Sequence, residues 1–573
     1  MKNITVRQPT GAVPPIRLIL ASSLWMTVAA NFSLWRELSR LGQLSGPGGW
    51  AWVAGLAVIM AAVLCLLLSA LAWRLTLKPA ITVLLLASAL GAHFMQSYHV
   101  VIDTAMIVNV LQSDPREATA LLSPRLLMVL LVLGVLPGVL VWRRPMRYAK
   151  APRQLMNNLL LAGGASLLVV LVTLAVFQPL SSTLRNHKQL RYLINPLNSV
   201  YALSHLAVQA LQQRDAVMEP VGLDAHGPAP SAGQRPALLV LVLGETARSA
   251  NFGLNGYARA TTPELAQENV VSFRNVWSCG TSTAASVPCM FSPIGERERF
   301  NAREHDYEGL LDVLQRAGLA VLWIDNQSGC KGTCDRVPNV STTALNDSEL
   351  CPGGECFDAI MLKDLPGRVA ALQAERRARG VVLVMHQMGS HGPAYARRSP
   401  PAFKRFTPEC ASSDLQDCNR DQVLNAYDNS IAYTDHFLAS TIQWLQTQQS
   451  AFDPAMVYLS DHGESLGESN LYLHGLPYLI APDAQKRVPW ITWLSSGLSQ
   501  QTGLTPECLR RQRDAPISHE NYFHSILGLL RIQTQIYQRG LDVYAHCMQP
   551  ESSQARTPGD APAITSGSGL LDG

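Results

Sequence analysis

The chain has 573 residues, room for several domains, and its 46 Lys and Arg against 42 Asp and Glu leave a net charge of +4. So small a balance identifies no partner, and no nucleic-acid partner is expected. The distribution of charge says more than its sum. Residues 18–35, 50–73, 126–142 and 158–178 contain no Asp, Glu, Lys or Arg, and 79–102 is a fifth such run, softened by His93 and His99. A helix needs about 20 apolar residues to cross a bilayer. Five transmembrane helices over 1–180 are therefore expected, in preference to buried helices of a soluble domain.

Lys and Arg in the short connections set the orientation. Lys2, Arg7 and Arg17 precede the first run, Arg74 and Lys78 follow the second, and Arg143, Arg144, Arg147, Lys150 and Arg153 follow the fourth. The alternate connections are poorer, with Arg36 and Arg40 in one and Arg116 and Arg125 in the other. This pattern predicts a cytoplasmic N-terminus and an outer location for everything after about residue 180. A cleaved signal peptide ending near Ala29 and Ala30 would invert the pattern and is rejected.

Between the third and fourth runs, Asn109, Ser113 and Glu117 share a face if 105–122 is one helix. Pro115 disfavours that continuity, and the residues alone slightly favour Asp114 capping a new helix with Glu117 completing a capping box. Residues 181–213 read as an amphipathic, basic bridging helix along the membrane surface or an ordinary linker helix, and 219–235 as a Pro-, Gly- and Ala-rich linker. A compact domain over 236–550 follows. Residues 551–573, rich in Ser, Gly, Pro and Ala, are expected to be disordered.

The domain alternates apolar strands at 237–243, 319–324, 381–385 and 456–459 with helices such as 307–317 and 424–446. Fully apolar strands separated by helices imply a mainly parallel sheet covered on both faces, with ligands outside the carboxyl ends of the strands. Of 11 cysteines only Cys65 lies in a membrane run. The other ten fall into couples, which the outer location makes disulfides rather than thiolate metal sites, although sequence alone does not fix their pairing.

The first strand ends at Gly244-Glu245-Thr246, the third runs into His386 through His391, and the fourth into Ser460-Asp461-His462-Gly463-Glu464, with His474 shortly after. Glu245, Asp461 and His462 converge if their strands are neighbours, and such oxygen and imidazole ligands suit zinc. The loop from Cys279 to Cys289 carries four hydroxyls, on Thr281, Ser282, Thr283 and Ser286. A hydroxyl attacks only after something removes its proton, and the loop's own chemistry does not choose among the four.

These motifs, together with Gly244 to Arg248, Asn255-Gly256-Tyr257, Thr261-Thr262-Pro263, Ser278 to Ser292, His386 to Pro393, Ser460 to Glu468 and Tyr472 to Gly475, resemble the phosphoethanolamine–lipid A transferases, including the mobile colistin-resistance enzymes, of the alkaline phosphatase and sulfatase superfamily. The resemblance covers nearly the whole length. It implies a five-helix transmembrane domain followed by a periplasmic α/β domain of alkaline phosphatase/sulfatase-like fold in the inner membrane of a Gram-negative bacterium. It implies a Thr283 nucleophile and a catalytic zinc held by Glu245, Thr283, Asp461 and His462. His386, His391 and His474 would handle the phosphoryl group or a second zinc, and Lys331 would contact substrate. Asn109, Ser113 and Glu117 would contact the donor lipid, although Thr is common in the family where Ser113 stands. The implied disulfides are Cys279–Cys289, Cys330–Cys334, Cys351–Cys356, Cys410–Cys418 and Cys508–Cys547.

The implied reaction moves phosphoethanolamine from phosphatidylethanolamine to a phosphate of lipid A through a covalent phosphothreonine, by a monomer, and lowers the negative charge that attracts polymyxins. Rival readings are transfer to another lipopolysaccharide core or glycan acceptor, a membrane-anchored phosphodiesterase or sulfatase, and a sensor on an inactive scaffold. The Thr283 loop lacks the Cys/Ser-x-Pro-x-Arg context of sulfatases, and intact Glu245, Thr283, Asp461 and His462 speak against the sensor.

Overall fold

The computed structural model describes residues 11–112, 119, 121–213, 218–228, 233–294, 307–342, 345 and 347–548. Among the described residues four helices are long and apolar enough to cross a bilayer: Gly46–Ala70, Leu77–Ser97, Pro124–Arg143 and Ala151–Ala175. The expected first span is not one straight helix. Pro15–Ala29 and Phe32–Arg40 meet at a 46° bend, and only as a pair do they make a fifth span. The cause is Asn31, whose Nδ2 donates to Met26 O at 2.9 Å and to Asn195 O at 2.6 Å. A side chain that takes a helix carbonyl diverts it from the ladder and bends the rod. Asn195 answers by donating its own Nδ2 to Ala30 O and Ser88 O, so two buried amides join three segments.

The expected bridging helix is also divided, into Phe177–Asn186, Gln189–Tyr192 and Leu197–Gln213. Pro196 lacks the amide hydrogen that a continuous helix would need there. The stretch read as a free linker is held to the domain that follows. Glu219 bridges Tyr307, His226 bridges Gln533, and Arg235 donates twice to Asp453 Oδ1 at 2.9 and 2.7 Å.

The outer domain contains strands β1 (Ala237–Gly244), β2 (Val271–Trp277), β3 (Ala320–Asp325), β4 (Asn339–Ser341), β5 (Val381–His386), β6 (Asp453–Ser460), β7 (Ser465–Leu466), β8 (Tyr472–Leu473), β9 (Arg487–Leu494) and β10 (Ile517–Ser518). Eight form one sheet in the order β10-β2-β9-β6-β1-β5-β3-β4, and β7 pairs with β8. The four expected strands are β1, β3, β5 and β6, all parallel and adjacent. Alternation along β1 sends Leu239, Leu241 and Leu243 into the core on one face and Leu238, Val240 and Val242 into the core on the other. That is why the run is apolar throughout.

Strands β2, β9 and β10 were not expected. Arg274 and Asn275 interrupt β2 at an irregularity between Phe273 and Val276, and β9 carries Pro489, a residue that argues against a central strand. β9 runs antiparallel to both β2 and β6. The register pairs Gly244 with Ser460 and Leu243 with His386, so three motif-bearing strands end side by side.

Candidate active site and metal centre

Thr283 opens the helix Thr283–Phe291, with Ser282 in the capping position. The Cys279–Cys289 disulfide ties the loop before this helix to its body. Two of the four hydroxyls in the loop are engaged elsewhere. Thr281 Oγ1 donates to Leu476 O at 2.6 Å and Ser286 Oγ accepts from the Gly280 amide at 3.2 Å, whereas Ser282 sits at the capping position without a side-chain cap hydrogen bond. Thr283 Oγ1 stands 3.3 and 3.1 Å from the two oxygens of Glu245 and 3.5 Å from His462 Nε2. The helix N-terminus beside it favours negative charge.

Glu245 follows the end of β1, and Asp461 and His462 follow the end of β6; all three are fully buried. His462 Nε2 lies 3.4 Å from Glu245 Oε1 and 3.3 Å from Asp461 Oδ2. Its Nδ1 contacts Gly463 O at 2.9 Å. A carbonyl only accepts, so this contact puts a proton on Nδ1 and leaves Nε2, which faces two carboxylates, to carry a second proton or to bind a cation in its place. Asp461 Oδ1 accepts from the amides of Thr246 and His462, whereas its buried Oδ2 accepts no hydrogen bond among the described residues. The donor atoms of Glu245, Asp461 and His462 lie within 4.8 Å of one another.

Burial opposes charge on all three groups. For Glu245 the His462 contact outweighs it and holds the carboxyl low, whereas burial and then the Glu245 charge push Asp461 up. Burial would lower His462, but Asp461 and Glu245 outweigh it and push the ring up. A divalent cation meets the same demand, and this oxygen and imidazole donor set fits zinc.

A second group, His462, Glu464 and His474, also brings its donor atoms within 4.8 Å. Glu464, absent from the expected site residues, is fully buried, accepts from Tyr395 Oη and contacts His474 Nδ1 at 2.8 Å. Burial pushes it up to about 8. Its signal in the sequence is its place two residues after His462. Gln327, which donates to Glu245 Oε2 at 3.0 Å, leaves no such signal.

The expected histidines divide. The His474 ring lies 4.2 Å from that of His462 and 5.6 Å from that of His391. His386 instead turns its Nδ1 to Asp325 Oδ2 at 3.3 Å and its ring edge to Trp323. Its Nε2 is buried without a hydrogen-bond partner among the described residues. Lys331 Nζ donates to Ser328 Oγ at 2.8 Å and to Gln112 O at 3.2 Å. It thereby meets the helix Thr104–Gln112, which carries the half-buried Asn109 and packs against the Thr283 helix. Ser113 and Glu117 lie outside the described residues.

All five expected cysteine pairs are bonded, and Cys65 is free. Cys330 and Cys334, which lie close enough to Asp335 for a metal group, are therefore closed as ligands.

Residues 237–532 match the family model described as Sulfatase, and residues 60–211 the one described as Phosphoethanolamine transferase EptA/EptB. The phosphoethanolamine transferase EptA of Escherichia coli (strain K12) is 37% identical over 537 residues, covering 92% of this chain and 96% of that protein. The chain belongs to the phosphoethanolamine transferases. Among its relatives, the phosphatidylethanolamine transferase Mcr-1 of Escherichia coli is 36% identical over 531 residues, covering 91% of this chain and 96% of that one. The integral membrane lipooligosaccharide phosphoethanolamine transferase A of Neisseria meningitidis superposes with a TM-score of 0.88 at 33% identity, covering 93% of this chain and 99% of its own. The family architecture, an N-terminal membrane domain and a sulfatase-like α/β domain, is the one expected from the motifs.

Proposed function

We propose that this transferase moves phosphoethanolamine from phosphatidylethanolamine to a phosphate of lipid A in two steps, through a phosphoethanolamine ester of Thr283. The observation that carries the reading is the isolation of Thr283 Oγ1, alone of the loop's four hydroxyls, beside the Glu245 carboxylate and His462 Nε2. Glu245, Thr283, Asp461 and His462 would hold a zinc ion. Bound there, it would lower the proton affinity of the threonine hydroxyl, as it lowers that of water from near 16 to about 7.

In the first step the Thr283 oxygen attacks the donor phosphorus, the bond from phosphorus to the glycerol oxygen breaks, and diacylglycerol leaves with a proton. In the second, an oxygen of the lipid A phosphate attacks the same phosphorus and Thr283 regains its proton. His391 and His474 lie on the side of His462 from which they can hydrogen-bond phosphoryl oxygens, and Glu464 orients His474 through Nδ1. Lys331 and Asn109 belong to the donor side, with Ser113 and Glu117 in the same reading. His386, whose Nδ1 is held by Asp325, would offer its Nε2 to the phosphoryl group or to a second zinc.

Five disulfides support an oxidising periplasm around the catalytic domain. With the Lys and Arg bias of the connections they support an inner-membrane protein whose N-terminus is cytoplasmic. The proposed division is 1–180 for the membrane domain, 181–235 for the bridge and 236–550 for catalysis. Added ethanolamine would lower the negative charge of lipid A and weaken its attraction for polymyxin and colistin.

Another acceptor is the competing reading, since the Kdo(2)-lipid A phosphoethanolamine 7''-transferase of Salmonella typhimurium is 27% identical over 531 residues. Mass spectrometry of lipid A from cells with the wild type and with Thr283→Ala tests both. Gain of phosphoethanolamine on a lipid A phosphate with the wild type alone is expected. Gain elsewhere on lipopolysaccharide refutes the acceptor, and an active Thr283→Ala refutes the nucleophile.

A further inference from the structure

A cavity of about 520 Å³ lies where the membrane helices meet the catalytic domain. Its polar wall carries Arg36, Arg40 and Glu37 from the helix Phe32–Arg40 and His99 from just beyond Leu77–Ser97. Its apolar wall carries Leu471 from the turn between β7 and β8, and Leu476 and Ile480 from the loop after β8. The size falls within the roughly 300–1,000 Å³ of small-ligand sites.

Three features point to an anionic lipid headgroup. Two arginines face one glutamate, so the polar wall is cationic. Arg36 Nη2 meets His99 Nε2 at 2.6 Å; since arginine only donates, Nε2 accepts and the neutral ring carries its proton on Nδ1. That Nδ1 is buried and has no partner among the described residues, leaving a donor that a phosphate oxygen would satisfy. His99 also holds a left-handed φ of +58°, a conformation that costs a non-glycine residue energy and clusters at binding sites.

The cavity adjoins the reaction centre. Leu476 O accepts from Thr281 Oγ1 at 2.6 Å, and the Gly475 amide donates to Thr281 O at 2.8 Å. The apolar wall is thus bonded to the loop that carries Thr283, two residues beyond His474. Neither Asn109 nor Lys331 lines it. In the loop after β8 Leu479 is 80% exposed, a side chain suited to the lipid surface.

We propose that this cavity receives the phosphorylated sugar of the acceptor lipid A, held by Arg36, Arg40 and His99, while the donor enters past Asn109 and Lys331. The assignment rests on the transfer proposed above. A phosphate monoester carries up to two negative charges and matches a pair of guanidinium forks. The donor headgroup carries an ammonium that the same two arginines would repel.

The test uses the full chain in phosphatidylcholine nanodiscs, which supply no donor, with bisphosphorylated lipid A as the probe. Arg36→Ala/Arg40→Ala should bind it at least about ten-fold more weakly than the wild type, since charged hydrogen bonds are lost, and should not differ from it for lipid A stripped of phosphate. Arg36→Lys/Arg40→Lys should lose less. Glu37→Gln, a surface change that removes the acid from the wall, should bind more tightly. In separate nanodiscs that contain phosphatidylethanolamine and no lipid A, release of diacylglycerol and mass gain at Thr283 should be unchanged in the double alanine variant. Wild-type affinity in that variant, or an equal loss of the Thr283 adduct, would overturn the assignment. Failure of the wild type to form any adduct would instead count against the two-step chemistry and leave the binding result to judge the cavity.

Discussion

Gly389 packs its α-carbon against the backbone of Glu245, and replacing it with alanine tests whether the proposed zinc site depends on that contact. Gly389 has φ +52°, and a Cβ built there would lie 2.6 Å from Glu245 O, 3.0 Å from Glu245 Cβ and 3.1 Å from Glu245 N. Two of these atoms are main chain and cannot rotate away. Ordinary carbon contacts begin near 3.5 Å, so Glu245 or the 386–391 loop must give by roughly 0.5–1 Å. The left-handed backbone costs alanine about 1–2 kcal/mol, and overpacking adds about 1–3 kcal/mol. Gly256 supplies the control: it has φ +99°, but nothing lies within 4 Å of its Cβ position. Gly256→Ala should therefore carry only the backbone cost, and the difference between the two variants isolates the clash. A displacement near 1 Å at a reacting group slows catalysis by about 100-fold. The assay is thermal unfolding of the purified full-length protein beside bound zinc and the rate of Thr283 adduct formation. If Gly389→Ala matches Gly256→Ala in unfolding temperature, zinc content and rate, the contact does not position Glu245.

Removal of metal by a chelator should lower the unfolding temperature and abolish adduct formation, with zinc restoring both; a ligand at a hundred times its Kd adds about 2.7 kcal/mol, and an unchanged melt would refute the metal site. Asp435, which accepts from the amides of Glu264 and Leu265, is pushed by burial from 3.8 up to about 6. The folded protein therefore keeps a proton that the unfolded chain releases, and this contribution is complete below about 3.8 and lost as pH rises through about 6, at roughly 1.4 kcal/mol per pH unit. Asp435→Asn should flatten stability across that window in denaturation curves, and an unaltered pH slope would refute the cause. Replacing Cys279 and Cys289 with serine opens a loop of 10 residues and should cost about 2–3 kcal/mol, with slower adduct formation; a variant as stable and as fast as the wild type would show that the loop needs no clamp.

Much of the architecture could be read from the chain because its strongest constraints are local. A bilayer demands long uncharged runs, and β1, β5 and β6, covered on both faces, demand unbroken apolar ones. Strands β2 and β9 escaped because their signals were mixed: Arg274 and Asn275 sit at an irregularity, and Pro489 occupies a strand whose antiparallel neighbours tolerate it. The bend at Asn31 escaped for a different reason. Its partner, Asn195, is 164 residues away, and no local pattern announces such a bond. In the same way the Pro- and Gly-rich stretch before β1 has the composition of a linker but is tied down by Asp453, Gln533 and Tyr307.

The site shows the same division. The residue types at the strand ends were legible because β1, β5 and β6 each finish on groups that an apolar strand would otherwise exclude. Glu464 was visible as a neighbour of His462 but not as the buried partner of His474, and Gln327 gave no sign. His386 reads like His391 in sequence, yet the register beside β3 turns it to Asp325.

By itself the sequence determined that the chain crosses a membrane, that the domain after the spans holds a mainly parallel sheet covered on both faces, and that Glu245, Asp461 and His462 stand at strand ends. Each follows from runs and spacings a few residues long, where burial and periodicity act directly. Only the tertiary structure decided that those three meet, because convergence depends on the order β6-β1-β5 and on a register that aligns Gly244 with Ser460. It also decided which of four neighbouring hydroxyls faces Glu245. Thr281 is drawn to Leu476, 195 residues away, and Ser286 to the Gly280 amide. The hydroxyl of Thr283 turns to the carboxylate because the first turn of its helix aims it there.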